Sequence, residues 1–231
     1  MKNSIKKIFL IVSVLALIVS CEKELLDKKP LDIISDGAVI QDPNLLKAYV
    51  TDLYARANTT GFFQEWNWDN WPKIQNPVDE LVNSDEGRCT WDWSSDLLWN
   101  HGLLDGSGGM LEYFDYKLIR SCNEFLTLVD IATFADELKK QYAAESRWIR
   151  AYTYFTMVKR YGGIPLITTP QNSSEGEALF VPRNTEKEVY DFIISECDAI
   201  VNDLPESYND TQIGSATKYA ALALKSRAAL Y

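Results

Sequence analysis

Histidine is almost absent: His101 is the single one among 231 residues. That excludes multi-histidine metal centres and leaves a Ser–His–Asp relay only one candidate base. Cysteine is sparse too. Apart from Cys21, the chain has Cys89, Cys122 and Cys197, an odd number at wide spacing with no C-x-x-C pair. This is neither a disulfide framework nor a zinc site. Positive charge is short, with 23 Lys and Arg against 33 Asp and Glu and a net charge of −10. Nucleic-acid binding calls for basic stripes, so that class is excluded, while neutral sugars are indifferent to the imbalance. Gly106-Ser107-Gly108-Gly109 lacks the following Lys-Ser/Thr of a phosphate loop and reads as a flexible helix entry. No pattern calls for a cofactor. The longest apolar run, Ile8 to Val19 interrupted by Ser13, is shorter than the roughly 20 residues that span a bilayer.

That run has another use. Lys2, Lys6 and Lys7 precede it, and Ile18-Val19-Ser20-Cys21 follows, giving the basic, apolar and small-residue order of a secretory signal. The four residues resemble a bacterial lipobox, with Ile18 where leucine is commoner. Residues 1–20 are therefore expected to be a lipoprotein signal peptide and Cys21 the lipid attachment site, which anchors the chain without spanning the membrane. Losing three lysines and no acid takes the net charge from −10 to −13. Residues 21–41 read as a polar tether. Its Glu22-Lys23-Glu24 is similar to signals that send such lipoproteins to the cell surface.

Beyond the tether the pattern is helical. Asp42-Pro43 is a natural helix start, with Leu46, Tyr49, Val50, Leu53 and Tyr54 on one face up to about Ala57. A second helix is expected from Met110 to Val129 through Leu111, Phe114, Leu118, Cys122, Phe125 and Val129. A third runs from about Phe134 to Tyr161. Thr169 to Arg183 reads as a loop, and Thr185 with Glu188 makes a capping box that opens a helix reaching Leu204 and stopped by Pro205. Ser215 to Tyr231 forms the last helical segment, rich in alanines that let helices approach closely. Cys122 and Cys197 fall on apolar faces as small hydrophobes.

The most specific stretch is Glu145 to Thr168, ESRWIRAYTYFTMVKRYGGIPLIT. Trp148, Tyr152 and Phe155 share one stripe, at spacing that marks them as core. Lys159 and Arg160 complement the helix dipole, Gly162-Gly163 ends the helix, and Pro165 forces an extended exit. This stretch resembles the signature of the SusD/RagB family, surface lipoproteins that bind nutrients, mostly glycans, for a TonB-dependent outer-membrane transporter. Cys21, Leu26-Asp27 and Pro30 resemble the start of the mature proteins. PRNTEKEVYDFIISECDAIVNDLPE and GSATKYAALALKSRAALY extend the resemblance to Tyr231.

The resemblance implies a mostly α fold, a tetratricopeptide-like helical-hairpin scaffold with a long irregular aromatic-rich insertion; strict 34-residue repeats are not visible in the residues. It implies a SusC-like TonB-dependent transporter as partner, an oligosaccharide or other nutrient as ligand, and an outer-membrane, cell-surface location. Family members are longer, so 42–231 reads as a SusD-like helical domain incomplete at its C-terminus.

Seven tryptophans are many for a helical chain, and six of them fall between Trp66 and Trp99. An irregular stretch as long as Asn58 to Gly109 is uncommon unless it serves function. Sugars present C–H faces that stack on tryptophan and hydroxyls that reach carboxylates, amides and guanidinium groups. In the family, stacking tryptophans come from a corresponding insertion. By that resemblance Trp91 and Trp93 are the expected ligand contacts, with Arg88 and Asp96 as polar partners. The other use of these tryptophans is to close the insertion onto the scaffold as a satellite core. Trp66, Trp68 and Trp71 form a second cluster, either a contact loop or packing. Asp79-Glu80 and Asp85-Glu86 raise a surface glycan hydrolase as alternative, but chain neighbours cannot flank a scissile bond between themselves. A structural adaptor or defunct fragment is the third alternative. A non-enzymatic binding protein is expected.

Overall fold

The computed structural model describes residues 40–57, 114–209 and 212–231, all of them in the compact unit Gly37–Tyr231. The expected signal peptide, nearly all of the tether and the tryptophan-rich stretch lie outside the described residues. Those described form five α-helices: α1 (Pro43–Arg56), α2 (Tyr116–Ile131), α3 (Asp136–Tyr161), α4 (Glu186–Ile200) and α5 (Lys218–Ala228). No strand occurs among them. None of these helices is long and apolar enough to cross a membrane.

Four of the five starts carry a side-chain cap; α3, preceded by Ala135, has none. The Asp42 side chain accepts from Asn44 N with Pro43 in the first turn, and Thr185 and Glu188 satisfy each other's backbone N–H groups. Thr217 caps α5 by accepting from Ala220 N. Helix α2 departs from expectation: it begins at Tyr116, because the Asp115 side chain accepts from Leu118 N and fixes the first turn there. Phe114, placed by spacing on the buried stripe, instead precedes the helix, is 46% exposed and stacks on Tyr161 at 3.8 Å. The expected loop after the signature contains a 3-10 helix, Ser173–Leu179, capped by Asn172 and Glu175. The α4 helix ends at Ile200, and one further turn carries Leu204 N to Ile200 O before Pro205.

The four residues between α2 and α3 permit only an antiparallel hairpin, in which Cys122 O accepts from Ser146 and Asn123 faces Arg150. The α1 helix covers one side of this pair, burying Leu46, Val50 and Leu53 against Leu118, Phe125, Val129, Tyr142 and Ile149. On the other side α4 and α5 bury Val189, Ile193, Cys197, Leu224 and Ala228 against Ala151, Tyr154, Phe155 and Val158. Alanines do let α5 approach, with Ala221 and Ala228 fully enclosed. A third cluster joins Ala144, Ile200, Leu204 and Ala221. Trp148 packs against all three clusters, and Tyr152 stacks on it at 5.4 Å. The signature aromatics are therefore scaffold. Cys122 and Cys197 are buried, and burial pushes both thiols up to about 12.

Candidate functional site

Trp91, Trp93, Arg88, Asp96 and Cys21 all lie outside the described residues, as do Trp66, Trp68 and Trp71. What the structure places is the polar frame that follows them in the chain.

The exit from α3 is the centre of that frame. Gly162 adopts φ +65°, ψ −139°, and its N–H reaches Val158 O, a conformation essentially reserved for glycine. Gly163 serves a different need. A Cβ there would lie 2.1 Å from the backbone oxygen of Asn184, so the two chain segments touch only because the side chain is missing. Arg183 then donates to Gly163 O at 2.7 Å and Tyr161 O at 2.8 Å, satisfying carbonyls that a helix end leaves without partners.

Residues 164–171 continue as a strap without regular secondary structure, and their backbone groups are satisfied by side chains. Asn184 accepts from Leu166 N at 3.0 Å. The Tyr154 hydroxyl accepts from Ile167 N at 2.7 Å and donates to Ile167 O at 3.1 Å. Tyr116 donates to Pro165 O, Asn123 to Ile167 O, Arg150 to Thr168 O and Arg120 to Gln171 O. Burial pushes the Tyr116 hydroxyl up to about 12, so it remains a donor.

Beneath the strap sits an ion cluster between α3 and α4. Arg147 grips Glu196 through two bonds of 3.1 and 2.7 Å, and Arg150 adds a third at 2.8 Å. Arg150 also donates to Asn123 Oδ1 at 2.6 Å and lies over the Phe192 ring. Burial alone would raise the Glu196 carboxyl, but the hydrogen bonds and charges of Arg147 and Arg150 outweigh it and hold the group below the usual carboxylate range.

A second buried acid has no cation among its hydrogen-bond partners within the described residues. Glu145 is 2% exposed; Gln141 and the Tyr208 hydroxyl lie 3.0 and 3.1 Å from its Oε1, and the Tyr54 and Ser215 side chains also hydrogen-bond it. Burial pushes its carboxyl up, and the surrounding hydrogen bonds only partly offset that. The same Tyr208 hydroxyl lies 3.1 Å from Ala216 O. A phenol has one proton, and a carbonyl can only accept. Both contacts are satisfied together when Glu145 is protonated and donates to Tyr208, which then donates to Ala216 O. Tyr54 closes the circuit by accepting from Ala216 N at 2.8 Å. Glu145 thus ties α1, α3 and the segment before α5 into one network at the floor of a cavity of about 290 Å³, also lined by Lys47, Tyr142 and Gln212.

Another cavity, of about 260 Å³, opens between the first turns of α2 and the strap. Among the described residues no group of three His, Cys, Asp or Glu side chains is arranged to hold a metal ion. Sequence patterns gave no sign of either buried acid. The signal that could have found the 3-10 helix was present, as Asn172 and Glu175 have capping-box spacing.

Antiparallel helix pairs with a side-chain-pinned strap define a helical-hairpin scaffold of the tetratricopeptide type. A model of SusD-like proteins, described as "Starch-binding associating with outer membrane", matches residues 25–230, and the chain belongs to the SusD-like family. It is 26% identical over 227 residues to SusD-like protein P38 of Formosa agariphila, covering 96% of this chain and 41% of that protein. A crystal structure of a SusD-like protein from Bacteroides fragilis superposes with a TM-score of 0.63 at 31% identity, over 88% of this chain and 38% of that one. A laminarin-binding SusD-like protein shares the fold, with a TM-score of 0.66 at 24% identity over 83% of this chain and 40% of that one. The chain spans about two fifths of the length of the curated relatives it matches.

Proposed function

We propose that this chain is the glycan-binding portion of a lipid-anchored outer-membrane protein that works with a SusC-like TonB-dependent transporter in oligosaccharide uptake, without catalysis. The observation that carries this is the family match over residues 25–230, which takes in both the helical scaffold and the tryptophan-rich segment. Acyl chains on Cys21 anchor the protein, and residues 21–41 tether the helical domain, 42–231, to the membrane. Trp91 and Trp93 stack on the C–H faces of the sugar, while Arg88 and Asp96 bond its hydroxyls. The scaffold supports this division of labour: Trp148, Tyr152 and Phe155 of the signature are occupied in the core rather than offered to a sugar.

Affinity electrophoresis against a panel of neutral polysaccharides tests the reading. Retardation without release of reducing ends is the expected outcome, and W91A/W93A should abolish most of it. Release of reducing ends would sink the non-enzymatic assignment. Unchanged retardation of the double variant would remove the site while leaving the function.

A further inference from the structure

The cavity between α2 and the strap has a chemistry of its own. Ile119 and Ile167 supply its apolar part. The Tyr116 ring forms a wall and is fixed in place, because its hydroxyl donates to Pro165 O at 2.9 Å. Phe114 continues the aromatic surface outward, parallel to Tyr116 and stacked on Tyr161. Arg120 is preset as well: Nη1 donates to Gln171 O at 2.6 Å and Nε pairs with Glu124 at 2.8 Å, while Nη2 meets no acceptor among the described residues. Lys117 stands exposed on the same rim, beside Thr169 and Gln171.

The described lining therefore holds two cations, Lys117 without an ion pair among the described residues and Arg120 half-compensated by Glu124 just outside the lining, in a chain of net charge −10. A neutral sugar offers hydroxyls that need acceptors as much as donors. A rim dominated by ammonium and guanidinium groups instead fits a ligand with a fixed anionic acceptor. The volume is below the roughly 300–1,000 Å³ of pockets that enclose drug-sized molecules, so it suits one sugar unit of a chain. We propose that this groove is a subsite for a single uronic-acid unit of a glycan, its C–H face against Tyr116 and its carboxylate between Lys117 and Arg120. This rests on the glycan-binding reading but does not depend on Trp91 or Trp93.

Affinity electrophoresis of the full chain in polygalacturonate, with laminarin as the neutral comparison, tests it. Polygalacturonate should retard the native chain, less so at higher ionic strength. K117E should weaken that retardation about fivefold, the upper range for one exposed ion pair, and leave any laminarin retardation unchanged. K117Q, which removes the charge without reversing it, should give a smaller loss in the same direction, and circular dichroism should show both variants as helical as the native chain. Equal polygalacturonate retardation of native and K117E chains overturns the groove. So does an absence of retardation of the native chain by polygalacturonate. If W91A/W93A loses polygalacturonate binding and K117E does not, the groove falls while glycan binding stands. If neither polysaccharide retards the chain, both fall together.

Discussion

Replacing Glu145 with glutamine tests the proton count in the core directly. The amide keeps the shape of the carboxyl. With its nitrogen in the place of Oε1 it donates to Tyr208, and the Gln141 amide turns its oxygen inward to accept the second hydrogen, so the neutral acid's donor to Tyr208 is kept. Because burial raises the folded-state pKa of Glu145, the native chain holds this stability in full below the unfolded pKa, about 4.5, and loses it as pH rises through the folded value. Glutamine does not titrate. The difference in stability between E145Q and native should therefore be near zero at acid pH and grow in favour of E145Q towards neutral and alkaline pH. Ionised Glu145 accepts the Tyr208 O–H as a hydrogen bond and leaves Ala216 O without its donor, a cost of about 1–3 kcal/mol for a buried acceptor. At roughly 2–4 °C per kcal/mol for a chain of this size, E145Q should melt several degrees above native at pH 8. Thermal unfolding followed at 222 nm, at a series of pH values from 4 to 9, measures it. A penalty for E145Q that is the same at every pH would refute the argument, since it would mean that the carboxylate is charged throughout and irreplaceable as an acceptor.

Glu196 should behave in the opposite sense. Its folded pKa is lowered, so its contribution is present above the unfolded pKa and disappears as pH falls through the folded value. E196Q leaves Arg147 and Arg150 without their counter-charge and should cost about 3–5 kcal/mol at neutral pH, read as a lower midpoint in urea; an unchanged midpoint would show that the cluster is not structural. G163A should cost about 1–3 kcal/mol, because a Cβ 2.1 Å from Asn184 O must push the strap off its partner. A loss within the roughly 0.5 kcal/mol of ordinary surface substitutions would refute that close approach.

What could be read from the residues was local. Asp42-Pro43, the Thr185–Glu188 box and the glycine stop act within a few positions, and each appears where the chain spells it. Phe114 shows the limit of periodicity: it matched the apolar stripe of α2, yet the Asp115 cap set the helix start behind it. The ion cluster was illegible for a different reason. Glu196 lies 49 positions from Arg147 and 46 from Arg150, and charged residues on a long helix ordinarily face solvent. Only the packing of α3 against α4 shows that they satisfy one another.

The signature itself gains a physical meaning from this. Its two glycines have separate duties, one conformational and one of clearance, and both serve the strap rather than a ligand. The strap makes few backbone bonds of its own, so Tyr116, Asn123, Arg150 and Tyr154 supply them. Those four side chains come from α2 and α3, which locks the strap to the hairpin and fixes the wall of the α2 groove. On the readings proposed above, the signature residues position the binding surface and line it only at Ile167, and ligand chemistry would vary in Lys117, Arg120 and the tryptophan segment while the scaffold stays the same.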